Sequence, residues 1–238
     1  MKPAYFIFFA LLLAGCNFQN IKISGTARGM DTGVVSIIDL FGKTIFGANI
    51  TAGKFDIKQE NLPASGYYTF SVTSGAFPRD YEVYLEPGSY IINIPENDHD
   101  YLHITTNSKT QNNLSAYYTF EDSMMTDYRK DKDMWVAKLN DPKAKLLPDA
   151  EINKIIEKVE STRKRERGMH IAVMDMFIKK YPQNDIVPHI ITNMDYKTSP
   201  GAYYMLYNKL STKAKNSDEG KQVGEQLQQL VKQTETKP

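Results

Sequence analysis

A single thiol, one short cluster of imidazoles and carboxylates, and one run of basic residues are the side chains in this sequence whose types and spacing could do chemistry. The thiol is Cys16, the only cysteine among 238 residues. It follows Leu13-Ala14-Gly15, which close an apolar run from Ala4 to Leu13 that begins just after Met1-Lys2. A basic start, an apolar stretch and small residues before a cleavage point mark a secretory signal peptide. A cysteine directly after the small pair makes that ending a lipobox. The apolar run is about half of the ~20 residues that a spanning helix needs, so a cleaved leader is expected rather than a permanent transmembrane helix. Cys16 then becomes the mature N-terminus, with its sulfur alkylated by lipid. At about 0.8 kcal/mol per buried methylene, the two or three acyl chains of such a cysteine anchor a protein durably where one chain does not. A thiol spent on lipid leaves no internal disulfide and no second thiol for redox exchange.

The segment Asp98-His99-Asp100-Tyr101-Leu102-His103 holds two imidazoles and two carboxylates, the types that bind zinc and related ions. A metal needs those ligands to converge. Asp98 to Asp100 read as a turn, and His103 shares a strand face with Tyr101, so no metal is expected. His170 and His189 stand alone on helices and read as core-edge or surface histidines. In Arg163-Lys164-Arg165-Glu166-Arg167, each basic group near an anionic membrane would contribute ~1 kcal/mol. The acids Glu157, Glu160 and Glu166 are near enough to pair along the same helix, which makes the run a solvated face. No Gly-x-Ser-x-Gly, phosphate loop, dinucleotide fingerprint or His-Glu-x-x-His is present. The sequence therefore predicts no catalytic residue and no cofactor, and reads as a binding protein rather than an enzyme. Net charge is +1, and loss of a leader carrying Lys2 leaves 28 basic against 28 acidic side chains, which argues against nucleic acid as a partner.

The fifteen tyrosines include the pairs Tyr67-Tyr68, Tyr117-Tyr118 and Tyr203-Tyr204. Neighbours on a strand face opposite ways, so Tyr67 and Tyr68 cannot both be core. Tyr67, Tyr68 and Tyr84 are the candidate ligand-facing aromatics, suited to a peptide or to stacking on sugar rings.

The elements that must position these groups fall into two halves. From Asn17 to about Asn107, short runs of period two are separated by Gly, Asp, Asn and Pro. They predict strands at 21–27, 34–40, 44–49, 54–57, 67–73, 81–85, 90–94 and 102–105. The turn residues agree: Asp31-Thr32-Gly33, Phe41-Gly42-Lys43, Ala52-Gly53, Pro63 to Gly66 and Glu86-Pro87-Gly88 supply preset or unusual φ. An antiparallel sandwich or open barrel of about eight strands is expected. From Lys109 the period becomes 3.6. One helix opens after Asn107-Ser108 with Leu114, Tyr117, Tyr118, Met124 or Met125, and Tyr128 on one face. A second starts after Pro148 with Asp149 as cap, carries a kink or break at Gly168, and stops at Pro182. Shorter helices around 186–193 and 200–210 lead to one over 217–232. The class is α+β, with a signal peptide and lipobox over 1–16, a β domain over 17–107 and a helical region over 108–238.

This order resembles the N-terminal region of thioredoxin-like lipoproteins of Bacteroidetes, known as domain of unknown function 4369. The matching pieces are Ile21-Lys22-Ile23-Ser24-Gly25, Gly53-Lys54-Phe55-Asp56-Ile57 and Tyr84-Leu85-Glu86-Pro87-Gly88-Ser89. In the helical half they are Phe177-Ile178-Lys179-Lys180-Tyr181-Pro182, Tyr207-Asn208-Lys209-Leu210 and Ser217-Asp218-Glu219-Gly220-Lys221. Proteins of that kind continue into a thioredoxin fold with a Cys-x-x-Cys pair, and this chain is expected to lack it. The resemblance implies an adaptor that positions a partner, an envelope protein or peptide, while the membrane is met through lipid on Cys16. After Cys16 the sequence runs Asn17-Phe18-Gln19-Asn20, without the acidic cluster that similar lipoproteins use for surface export. The expected place is thus the outer membrane, facing the periplasm. The alternative is a surface glycan-binding lipoprotein.

Overall fold

The computed structural model describes residues 20–75 and 78–235. Cys16 and the expected leader lie outside these residues. The chain divides into two compact units, one running to Glu96 and including His103–Ser108, the other formed by Asn97–Leu102 and everything from Lys109.

The first unit is one mixed eight-stranded sheet curled into a half-barrel, and with the helices that follow it makes the fold α+β. Its strands are β1 (Asn20–Ala27), β2 (Thr32–Ile38), β3 (Thr44–Thr51), β4 (Lys54–Asn61), β5 (Gly66–Thr73), β6 (Arg79–Leu85), β7 (Gly88–Ile94) and β8 (His103–Thr106). Their order across the sheet is β6-β5-β2-β3-β4-β1-β7-β8. All pairings are antiparallel except β1 with β7, which run parallel from Ile21↔Gly88 to Ala27↔Ile94.

Period-two patterning places the core. Ile21 and Ile23 of β1, Phe55 and Ile57 of β4, Phe70 and Val72 of β5, Val83 and Leu85 of β6, and Ile92 and Ile94 of β7 are all buried. Each such side chain contributes about 1.5–3 kcal/mol on leaving water. The Phe55 and Phe70 rings meet at 5.9 Å between β4 and β5, which are not neighbours in the sheet, because the curl brings side chains of its inner face together. Gly25 sits where the backbone of β7 comes closest: a Cβ there would lie 1.7 Å from the Ile92 carbonyl oxygen and 2.7 Å from Cζ of Phe55. The Tyr90 hydroxyl, on a buried ring, accepts from the Glu86 N–H (2.9 Å) and donates to the Glu86 carbonyl (3.1 Å), tying down the Glu86-Pro87-Gly88 reversal.

The second unit contains α1 (Lys109–Asn140), α2 (Asp149–Lys180), α3 (Val187–Thr192), α4 (Pro200–Asn208), α5 (Thr212–Asn216) and α6 (Asp218–Glu235). Leu114, Tyr117, Met125 and Tyr128 form the buried stripe of α1, and Tyr117 meets Phe177 of α2 edge-on at 5.1 Å. A 3-10 turn over Pro142–Leu146 joins the two helices, and the Asp141 side chain accepts from the Lys143 N–H at its start. Three details differ from the sequence expectation. Pro148 occupies the cap position of α2 without a side-chain hydrogen bond, so Asp149 lies in the first helical turn, where its charge suits the helix dipole. The helix runs unbroken through Gly168. The short α5 appears because the Ser211 hydroxyl caps it, accepting from the Ala214 N–H at 3.2 Å.

Candidate functional site

The β3–β4 connection is the place where the sheet departs from a sealed ladder. Ala52 (φ 48°) and Gly53 (φ 71°) both take left-handed backbone, the signature of a two-residue type I′ hairpin turn. Such a turn aligns its flanking strands, and Thr51 pairs with Lys54 beside it. That is the only pair in the β3–β4 ladder; beyond it the strands splay, although β3 stays zipped to β2 from Thr51 to Thr44 and β4 to β1 from Lys54 to Asn61.

Strand alternation shows which backbone groups are left facing the gap. The Ala27 N–H donates to the Gly53 carbonyl at 2.8 Å, and Phe55 and Ile57 sit opposite Gly25 and Ile23, so the odd-numbered residues of β4 bond to β1. Asp56 therefore turns its N–H and C=O toward β3. By the same alternation from Thr51, Asn49 and Gly47 turn theirs toward β4. Between them lies a cleft of ≈ 530 Å³, walled by Gly47, Ala48 and Asn49 on one side and Asp56, Ile57 and Lys58 on the other. Ile57 is buried and apolar, whereas Asn49, Asp56 and Lys58 are exposed and polar. Through Asn49 and Asp56 the cleft continues onto a shallow depression over Ser24, Gly25 and Thr26. Two rows of strand-edge donors and acceptors on facing walls can do one thing chemically, which is to pair with an extended backbone.

The residues singled out from sequence are placed as follows. Tyr67 and Tyr84 are neighbours across β5 and β6 on the outer face, half-buried, with rings 5.1 Å apart at 72°, edge to face rather than in one plane. Tyr68 is turned inward and buried, and its hydroxyl donates to the Ala64 carbonyl at 2.6 Å. Burial pushes that phenol above its ordinary range, against the effect of the hydrogen bond. His99 pairs with Asp133 at 2.6 Å, whereas His103 opens β8. Among the described residues no three His, Cys, Asp or Glu side chains gather as metal ligands would. No described helix is long and apolar enough to cross a membrane. In the basic run, Arg163 pairs with Glu160 at 3.1 Å, and Glu166 reaches Lys132 of α1 at 2.7 Å.

Comparison with known proteins gives no assignment. No family model, curated protein or solved structure matches this chain.

Two polar groupings in the helical unit escaped the sequence reading. Glu121 of α1 is buried and meets Nδ1 of His170 at 2.8 Å, the Tyr117 hydroxyl at 3.4 Å and the Arg129 guanidinium at 3.9 Å. Next to it, Asp122 accepts from Arg129 (2.6 Å) and from the Tyr101 N–H (2.5 Å), yet burial still raises its carboxyl above the usual range. His189 is buried between Glu219 (3.0 Å) and Asn193 (3.3 Å). These groups satisfy one another across helices, as buried polar groups must. A carboxylate at position 121, in register with Tyr117 and Met125 on the buried stripe of α1, was the available signal.

Proposed function

We propose that this chain is a lipid-anchored envelope protein that binds an extended segment of a partner protein, without catalysis, by strand addition in the β3–β4 cleft. The observation that carries the reading is the one-pair hairpin, which leaves the backbones of Asn49 and Gly47 facing that of Asp56 across open space. Peptide recognition at a sheet edge takes its affinity from such backbone groups and its specificity from pockets for alternate side chains. Here the inward positions are apolar and the outward ones polar, so the bound segment alternates in the same sense. The anchor on Cys16, the outer-membrane placement facing the periplasm and the kinship with domain of unknown function 4369 belong to the same proposal and rest on the sequence features given above. The edge-on arrangement of Tyr67 and Tyr84 offers no flat platform for a sugar, and we favour the peptide over the glycan for that reason.

The test is a random-peptide phage library panned on the purified protein, with Asn49→Pro and Asp56→Pro as counter-screens. Proline deletes one cleft-facing donor in each variant and leaves the ladders to β2 and β1 donors in place. Losing a backbone hydrogen bond and stranding its partner costs about 1–3 kcal/mol, so binding should fall roughly tenfold or more in each variant. Peptides that bind both variants as well as the parent, or a library that yields no alternating sequences, would refute the cleft. Separately, Cys16→Ala should move the protein from the membrane to the soluble fraction.

A further inference from the structure

Among the described residues of the β unit, the two most exposed large apolar side chains stand side by side at the tip of the β2–β3 loop: Leu40 is 82% exposed and Phe41 95%. They are held there firmly. The Gly42 N–H donates to the Asp39 carbonyl (3.0 Å) and the Asp39 N–H to the Lys43 carbonyl (2.9 Å). The Asp39 carboxylate accepts from the N–H groups of Phe41 and Lys43, both at 2.9 Å. With Gly42 at φ 80°, this is a type I turn closed by a glycine bulge, the usual three-residue hairpin. Such a loop presents its two side chains in one place instead of letting them fold back, and their exposure to water is a standing cost.

Topology shows which end of the sheet carries this tip. β3 runs from Thr44 to the Ala52-Gly53 turn and β4 runs from that turn to Asn61, so Thr44 and Asn61 both stand at the end away from it. Asn61 pairs with Asn20, where β1 begins. The Leu40–Phe41 tip and the entry of the chain into the sheet therefore share one end. Only three residues separate Cys16 from Asn20, and a chain can span at most about 14 Å over the four steps between them. A lipid on Cys16 thus holds this end of the sheet against the bilayer surface.

We propose that Leu40 and Phe41 insert into the membrane that carries the Cys16 lipid, as a second contact that fixes how the β unit stands on the bilayer. The proposal rests on the lipid-anchored reading above. The occupant is the lipid interface, because the short tether brings that surface to the tip. Lys43 at the base of the tip is exposed and suits anionic headgroups.

The experiment uses the purified lipidated chain in vesicles of phosphatidylethanolamine and phosphatidylglycerol. Bimane is attached to Lys43→Cys, beside the tip, or to Lys54→Cys, at the far end of β4, and iodide is the aqueous quencher. Bimane at position 43 is expected to shift to the blue and escape iodide, and at position 54 to remain quenched. Each apolar side chain shifts the insertion equilibrium roughly tenfold, so Leu40→Ser with Phe41→Ser should lower it about a hundredfold and expose position 43. Both residues lie in solvent, so the fold is retained, which an unchanged response at position 54 verifies. A chain that floats with the vesicles while position 43 quenches like position 54 overturns the tip and leaves the anchor standing. A chain that stays in solution with an unmodified Cys16 overturns both. Shielding of position 43 only after addition of an envelope protein extract also overturns the proposal, in favour of a protein partner.

Discussion

Gly25→Ala is the sharpest test of how the β unit is built. A Cβ at this position would sit 1.7 Å from the Ile92 carbonyl oxygen, 2.7 Å from the Ile92 carbonyl carbon and 2.7 Å from Cζ of Phe55. The ring is the far end of a side chain and can swing. The carbonyl cannot, because it belongs to a parallel ladder running from Ile21↔Gly88 to Ala27↔Ile94. Reaching van der Waals distance requires β1 and β7 to part by more than an ångström at their centre. Inserting one methyl group into a packed site costs typically 1–3 kcal/mol, and backbone that cannot yield puts this case at the upper end, about 3 kcal/mol. That is a large share of a domain's 5–15 kcal/mol. Amide hydrogen exchange read by mass spectrometry should show the loss in peptides of β1 and β7. Urea unfolding followed by the fluorescence of Trp135, the only tryptophan, which lies in α1, should change little. Adding Phe55→Leu should not restore stability. Full rescue by Phe55→Leu, or a loss below 1 kcal/mol, would show that the strands do not approach as described.

Other outcomes follow from the same structure. Ala52→Asn should stabilise the hairpin by about 0.5–1 kcal/mol, since Asn tolerates the left-handed φ that Ala52 holds and Asn-Gly is the favoured type I′ pair; a lower urea midpoint would count against the turn assignment. Glu121→Ala should destabilise the helical unit by about 1–3 kcal/mol, because it takes a hydrogen-bond partner from His170 and from the Tyr117 hydroxyl around a buried gap, and a Trp135-monitored urea titration would reveal an unchanged midpoint if the grouping were idle. Hydrogen bonds from Lys179 and then Lys209 hold the Asp175 carboxyl below its ordinary range. A depressed carboxyl stabilises the folded state at pH above the unfolded value near 4 and loses that contribution as pH falls through the folded one. These lysines are solvated, so Asp175→Asn should cost no more than about 1 kcal/mol at pH 7, and the difference from the parent should shrink as the pH falls through the depressed folded value. A difference independent of pH would refute the pairing.

How much of this was legible beforehand depends on the range of the interaction involved. All eight strands could be read from the sequence, because alternation such as Ile21-Lys22-Ile23 and Tyr81-Glu82-Val83 is a local consequence of one buried face. The Ala52-Gly53 reversal was equally local. That β3 and β4 part company just past it was not, since their divergence is set by β2 holding one strand and β1 the other. The parallel register of β1 with β7 lies outside local pattern for the same reason. Leu40 misled in the opposite direction: it reads as the last residue of the strand over 34–40, whereas the strand stops at Ile38 and Leu40 joins the turn read from Phe41-Gly42-Lys43. Tyr68 could be assigned a face only once its partner Tyr67 had one, and alternation does not say which of two neighbours faces in. In the helical unit the long amphipathic stripes were legible, whereas the Glu121 grouping depends on α1 and α2 aligning over many turns.

The unsealed border between β3 and β4 carries a hazard of its own. Two lengths of free strand edge invite identical copies to stack on one another. The outward row beside that border reads Lys54, Asp56, Lys58, a charge at every second position. In a stack of like copies each of these would have to lose water next to its own kind, a cost that a chosen guest can avoid by bringing the opposite sign. The charged side chains along the open border therefore discourage the protein from polymerising with itself.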